Sequence, residues 1–348
     1  MSHIVFNVDS VRRRAAVAVA AVAGAALIAA CGSSTSSVTT SAAAAGDPPA
    51  TSAASTPSNI ALNYGYIGVD GVIQGPEGFA LSKGLFQKWL APAGVTKINT
   101  DQFANGPLMT AAIVGGSVNL GDLGDTPALL AYSHGTPDRV INQDNVGTEA
   151  WILTQPKIKT LAQLAGQTVT RQQGSYMDRY LQGLLAERGL ASRVKLVAML
   201  SAQGLPAFES GQVGGIVLQP TQAVTLLNKG YNVVAESTTT PSLQGTGLTV
   251  ISDTLLKQDP KLVSVWNQAR EEAIAYAIAH PAAYYAYAAK LIPGGTPAEA
   301  EKYSSLSQYR VQPFTAAGLS QLQGTLNFLV SVHEAKPFSI SGWEAPGS

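Results

Sequence analysis

Between Ile60 and Ile251, short apolar runs alternate with segments whose apolar residues recur every three or four positions. No other feature restricts the fold as strongly. Ile60–Gly68 reads as a strand, followed by a loop rich in Gly71, Gly75 and Gly78 and then a helical pattern through Phe79, Leu85, Phe86, Trp89 and Leu90. Pro92 and Gly94 stop that pattern. A strand near Thr96–Thr100 leads to a helix over Pro107–Val114, and Val118 and Leu120 then alternate with polar neighbours before a helix opening at Gly124–Pro127. Trp151–Thr154, Thr168–Arg171, Lys195–Met199, Val213–Leu218 and Asn232–Ala235 read as strands, with helices starting near Thr160, Ser175, Gln203 and Thr221. After a last strand at Leu248–Ile251 the chain turns helical, over Pro260–His280, Ala282–Leu291, Pro297–Tyr303 and Ala316–Val332. Strands separated by helices of this length imply an α/β protein with mainly parallel sheets. No internal repeat of fixed period is present.

Two lobes follow from this order. Residues 59–149 and the mostly helical 237–340 form one, residues 150–236 the other, and 341–348 read as a tail. The chain crosses between lobes near Gly147–Ala150 and Glu236–Gln244. Ligands on open α/β sheets bind beyond the carboxyl ends of strands, so two facing sheets create a cleft.

The first 58 residues are of another kind. Arg12, Arg13 and Arg14 precede a sixteen-residue apolar run, Ala15–Ala30, short of the roughly 20 residues that span a bilayer. Leu27-Ile28-Ala29-Ala30-Cys31 looks like a bacterial lipobox, in which the cysteine thiol is alkylated by a lipid before cleavage. Residues 1–30 are therefore read as a lipoprotein signal peptide and Cys31 as the lipidated residue, the chain's one cysteine. Residues 31–58, rich in Ser, Thr, Ala and Pro, lack the apolar residues to offset chain entropy and read as a disordered tether. The expected location is the outer face of the cytoplasmic membrane. The full chain carries 22 basic and 22 acidic side chains. Cleavage removes three arginines and Asp9, leaving 19 and 21, a net charge of −2. Neither state has the clustered basic face that nucleic acid requires.

Two strand-to-helix turns are candidate anion sites. In Gly124-Asp125-Thr126-Pro127, glycine permits close backbone approach and proline suits a first helical turn. In Gln172-Gln173-Gly174-Ser175-Tyr176, a serine stands at the cap of an apolar-striped helix. Free N–H groups and the helix dipole at such starts can hold a sulfonate, nitrate, phosphate or carboxylate. Each turn also reads as an ordinary capped helix.

Phe103-Ala104-Asn105-Gly106-Pro107-Leu108, Gly115–Gly121 and Gly124–Pro127, followed by Ile158–Val169, Gly174-Ser175 and Ala207–Val213, resemble in order and spacing the solute-binding proteins of ABC importers for aliphatic sulfonates, taurine and nitrate. The resemblance covers about Tyr64–Ser237 and, loosely, the C-terminal helices. It implies a two-lobed periplasmic-binding-protein-like fold of type II with the ligand between the lobes. By position, Gly124, Asp125 and Thr126 become one wall of an anion site and Gly174 and Ser175 the facing wall, with Thr126 and Ser175 gripping the ligand. The loop Gly71–Gly75 lines the cleft, through Gly71 and Gln74, and Gln172, Gln173 and Tyr176 add a polar, partly aromatic lining. Where taurine receptors often carry an acidic residue before a proline, this chain has neutral Gln219, which argues for an uncharged ligand tail. The implied partners are a small sulfonate-like anion, an ABC permease and its ATPase, and the membrane through Cys31, with the receptor a monomer.

Catalysis has little support. HExxH, GxSxG, Walker A and GxGxxG runs are absent, and no cofactor, metal or catalytic residue is expected. Asp122 and Asp125 read as structural, His134 as a helix C-cap, and Trp266, Tyr276, Tyr284, Tyr285 and Tyr287 as packing. The alternatives are a lyase or precursor-synthase enzyme on the same scaffold, a nitrate, taurine or other anion receptor, and a lipoprotein that signals or adheres without transport.

Overall fold

The computed structural model describes residues 59–68 and 71–348. The segments read as signal peptide and tether, with Cys31, lie outside the described residues. The described residues hold ten strands: β1 Ile60–Ile67, β2 Val95–Phe103, β3 Leu120–Gly124, β4 Asp138–Thr148, β5 Trp151–Thr154, β6 Thr168–Arg171, β7 Lys195–Ala198, β8 Gly215–Leu218, β9 Asn232–Glu236 and β10 Gly245–Ser252. They form two five-stranded sheets, ordered β2-β1-β3-β10-β4 and β7-β6-β8-β5-β9.

The two orders are one topology used twice. In the first sheet β1 pairs parallel with β2 and β3, and β10 enters antiparallel between β3 and β4. In the second, β6 pairs parallel with β7 and β8, and β5 enters antiparallel between β8 and β9. Both antiparallel strands directly follow a crossing, at residues 149–150 and 237–244. The crossings are tied together: Ala150 N donates to Ser237 Oγ at 2.9 Å and Ser237 N to Ala150 O at 3.0 Å, with both residues buried.

Central strands are apolar on both faces because helices cover both. All four residues of β5 and of β8 are buried, as a doubly covered sheet requires. Leu62, Tyr64 and Leu120 pack with Trp266 on one side of the first sheet, and Leu123, Val140 and Leu248 with Leu322, Leu326 and Trp343 on the other. The aromatic series on the C-terminal helices is packing: Trp266 and Tyr284 have no exposed surface.

Three sequence expectations change. β4, the longest strand, was not read from sequence, because Asp138, Asn142 and Gln143 are buried polar residues that erase its alternation. Asn142 is satisfied by Thr249 Oγ1 and Asn267 Oδ1, both remote in sequence. The helix expected near Thr160 is a single 3₁₀ turn, Leu161–Leu164, closed by a Thr160–Gln163 capping box. Residues 341–348 are no free tail: Trp343 is fully buried, donates from Nε1 to Asp138 Oδ1 at 3.0 Å, and is followed by a bridge from Glu344 to β4.

Candidate functional site

The strand ends of both sheets converge on a cavity of about 120 Å³. A second chamber of about 230 Å³ adjoins it, and Gln74, Asn145, Thr148, Gln219 and Tyr309 line both. Of the sequence-predicted residues, Gln74, Gly124, Gln172, Ser175, Tyr176 and Gln219 lie on the inner wall, and Gln173 does not. Gln74 precedes the helix Gly75–Ser82 and Gln219 precedes the helix Pro220–Leu227. They meet across the cleft, Gln74 Nε2 donating to Gln219 Oε1 at 3.4 Å, though 145 positions apart.

The two candidate anion turns are both filled from within. Asp125 starts the helix Asp125–Ser133, and its own carboxylate takes the helix-start N–H of Thr126 at 2.5 Å and the N–H of Thr246 at 3.2 Å. Arg179, in the helix Tyr176–Glu187, closes the arrangement from the other lobe. Its Nη2 is 3.2 Å from Asp125 Oδ2, and its Nε donates to Thr126 Oγ1 at 3.1 Å. All three side chains are buried behind the cavity wall, which corrects the expectation that Asp125 and Thr126 face a ligand. At the second turn Gly174 adopts a φ of 76°, and its N–H donates to Asp178 Oδ2 at 3.1 Å. Ser175 Oγ caps Asp178 N at 3.2 Å, while Arg171 pairs with the Asp178 carboxylate at 3.2 Å. Ser175 remains on the wall; Gly174 does not. Gly71 is also displaced, to a separate groove beside Tyr287, with its N–H donating to Gln102 Oε1 at 2.8 Å.

Tyr176 is the hinge-side wall. Its ring lies against Gly124 and Gly245, where a Cβ on Gly245 would come within 2.5 Å of it. Its hydroxyl donates to Glu149 O at 3.0 Å, and burial pushes its pKa up. Gly106 performs a similar service opposite: a Cβ there would come within 2.3 Å of Pro127, so the two glycine motifs touch in space.

Both acidic residues of the wall escaped the sequence reading. Asp122, read as structural, lies on the cavity, and so does Asp144 from β4. Asp122 Oδ2 accepts from the Tyr64 hydroxyl, and Asp144 Oδ1 from Asn145 N at 2.6 Å. Glu77 stands behind them, paired with Arg270 Nε at 2.8 Å. Burial raises all three acids, Glu77 to about 7 and Asp144 well above the usual carboxylate range, with Asp122 and Glu77 adding like charge against Asp144. The only available sequence signal was the missed strand β4.

The profile of the family described as NMT1/THI5 like matches residues 102–284. A curated relative, the putative aliphatic sulfonates-binding protein of Escherichia coli (strain K12), is 29% identical over 148 residues, 41% of this chain and 46% of that protein. The chain thus spans about half the length of the curated relative it matches. Among solved structures, the alkanesulfonate-binding protein SsuA from Xanthomonas axonopodis pv. citri, bound to MOPS, superimposes with a TM-score of 0.67 at 22% identity, covering 80% of this chain and 94% of that one. A DszB mutant in complex with biphenyl-2-sulfinic acid superimposes with a TM-score of 0.61 at 18% identity, covering 82% and 96%. At these identities the likeness is one of fold, which serves more than one chemistry.

Proposed function

We propose, from the premise that this chain belongs to the NMT1/THI5-like family, that it is the extracytoplasmic solute receptor of an ABC importer. It captures a small sulfonate-bearing solute between its lobes and delivers it to a permease, while a lipid on Cys31 holds it at the membrane. The observation that supports this most is the cavity at the convergent strand ends, where Gln74 and Gln219 reach each other from opposite sheets. A receptor needs such a contact, because a ligand wedged between the two side chains links both lobes and favours the closed form. Closure removes water and strengthens each hydrogen bond to the solute. The sulfonate class comes from the names of the relatives.

The neutral donors suit a sulfonate head: Gln74, Asn105, Gln172, Ser175 and Gln219 surround the inner chamber. The enzyme reading draws on the DszB likeness. Against it, among the described residues the inner chamber presents no His, Cys or Lys as a nucleophile, and the acids Asp122 and Asp144 are the groups an enzyme reading would have to use.

A thermal-shift screen with alkanesulfonates, aminoalkanesulfonates, nitrate, sulfate and small carboxylates tests the reading. A solute at 100 times its Kd stabilises by about 2.7 kcal/mol. Stabilisation by a sulfonate without its turnover supports the receptor. Turnover of the bound solute moves the protein to the enzyme class, and silence from every sulfonate overturns the assignment.

A further inference from the structure

Three carboxyl groups meet at the inner chamber. Asp122 on β3 and Asp144 on β4 lie on its wall, and Glu77, from the helix Gly75–Ser82, stands behind them. Gly247 of β10, the strand between β3 and β4, makes the approach possible, because a Cβ there would collide with the Asp144 carboxyl. The cation beside them is Arg270, from the helix Leu262–Ala279. Its Nε pairs with Glu77 at 2.8 Å and its Nη2 donates to the backbone oxygen of Asp144 at 2.7 Å. One guanidinium does not balance three ionised carboxyls away from water, so part of the group carries protons and is neutral.

The other groups facing the acids leave that balance unchanged. The Tyr64 hydroxyl of β1 donates to Asp122 Oδ2, Thr249 stands opposite Asp122 on β10, and Tyr309 lines the chamber. Burial holds both tyrosines above their ordinary range, so they keep their protons. The other lobe contributes the uncharged Gln172, Ser175, Tyr176 and Gln219, and among the described residues no Lys, Arg or His lines the inner chamber. Burial also holds the three acids up, with Arg270 pulling each of them down.

Among the described residues, two polar atoms on this wall lack partners: Asp122 Oδ1 and the hydroxyl of Thr246, a residue 1% exposed. Buried polar atoms are nearly always paired, so unpaired ones on a cavity wall point to a ligand that completes them. With Oδ2 taken by Tyr64, a neutral Asp122 has Oδ1 to carry its proton. Asp144 Oδ1 accepts from Asn145 N, which leaves its Oδ2 in the same position. A neutral carboxyl and a threonine hydroxyl are both O–H donors, and what they require is an acceptor.

We propose that Asp122 and Asp144 hold the solute as neutral carboxylic acids, donating O–H groups to its acid head beside the Thr246 hydroxyl, so that capture takes up a proton. The inference rests on the receptor reading and adds to it how the acids of the wall serve an anion. A bound anion repels an ionised carboxylate and accepts from a protonated one, so it favours the protonated form. By linkage the affinity is full where the free protein's acids are protonated and falls as pH rises through the range in which they ionise.

Calorimetric titration of the purified protein with propane-1-sulfonate, itself an anion throughout the range, tests this between pH 6 and 8. Bis-Tris, imidazole and Tris serve as buffers, since they are cationic, do not compete for an anion site, and differ in ionisation enthalpy. Affinity is expected to fall at least about fivefold from pH 6 to 8, and the apparent enthalpy to vary among buffers in the sense of proton uptake. In Asp144→Asn the amide donates at every pH, so both the pH dependence and the uptake should shrink. If that variant does not fold, Asp122→Asn serves the same comparison. A flat affinity with a buffer-independent enthalpy, or an affinity that rises with pH, overturns the inference and leaves the receptor reading intact. Uptake unchanged in both variants places the proton elsewhere and overturns it as well. Silence from propane-1-sulfonate at every pH also overturns it, whereas silence from every sulfonate in the thermal-shift screen overturns the receptor reading itself.

Discussion

Replacing Arg179 with methionine removes the guanidinium that joins the two lobes behind the cavity. In the native protein Arg179 and Asp125 are 1% and 0% exposed at the side chain, with Nη2 and Oδ2 3.2 Å apart. Arg179 Nη2 also donates to Gln244 O at 2.7 Å. Breaking a buried pair from one side costs roughly 3–5 kcal/mol, because the remaining charge is left without a counterion. The lower end applies here. Asp125 keeps the N–H groups of Thr126 and Thr246 and the hydroxyls of Thr126 and Thr325, and Gln244 O keeps Gln321 Nε2 at 2.9 Å. Arg179→Met should therefore lose about 3 kcal/mol. The double variant Arg179→Met/Asp125→Asn removes both charges and should recover a coupling energy of about 2 kcal/mol, within the range for contacting residues. Urea unfolding at pH 7, read as midpoints at a shared m-value, gives all four corners of the cycle. A loss below about 1 kcal/mol in Arg179→Met, or strictly additive costs in the double variant, would refute the view that this pair locks the lobes.

Other outcomes follow from single residues. Asp138 has one oxygen on Trp343 Nε1 and the other buried without a partner, and burial raises it from 3.8 to about 7. The folded form then holds its proton more tightly than the unfolded chain, so stability contributed below pH 4 is lost as pH rises toward 7. The difference corresponds to roughly 4 kcal/mol at most. Asp138→Asn should flatten that part of the fall between urea midpoints at pH 4 and 8, the remainder belonging to the other acids that burial raises, Glu77, Asp122, Asp144 and Asp178. Gly247→Ala would place a Cβ 1.9 Å from Asp144 Oδ1 and 2.7 Å from its Cγ, forcing the carboxyl off β10. Thermal denaturation should show a loss of roughly 1–3 kcal/mol in stability. Ser175→Ala removes the cap on Asp178 N and should cost about 1 kcal/mol by urea unfolding.

Sequence alone determined the features that depend on near neighbours. β5 and β8 were legible because strands covered on both faces must be apolar throughout, and a run such as Gly215-Ile216-Val217-Leu218 has few alternatives. The helix cap at Ser175 was legible for a similar reason, since capping acts over three residues, while the helix start at Asp125, which has no side-chain cap, was marked by Gly124 and Pro127. Gln74, Ser175, Tyr176 and Gln219 were placed near the cleft by resemblance, and they do lie on one cavity wall.

Tertiary structure decided what those local features do. A helix start offers N–H groups to any anion, and nothing in the sequence near Thr126 says that Asp125 and Arg179, 54 positions apart, have already taken the place. β4 was hidden because its polar positions break the alternation: Asn142 is tolerable inside only once the remote Asn267 reaches it, and the side chain of Gln143 is buried without a partner. With β4 hidden, Asp144 was hidden too, and with it the acidic character of the chamber. Periodicity and capping report interactions within about one helical turn or strand pair. The charge of a cavity is set by which carboxylates the fold leaves without a cation, and that is fixed only when both sheets and the C-terminal helices have closed around it.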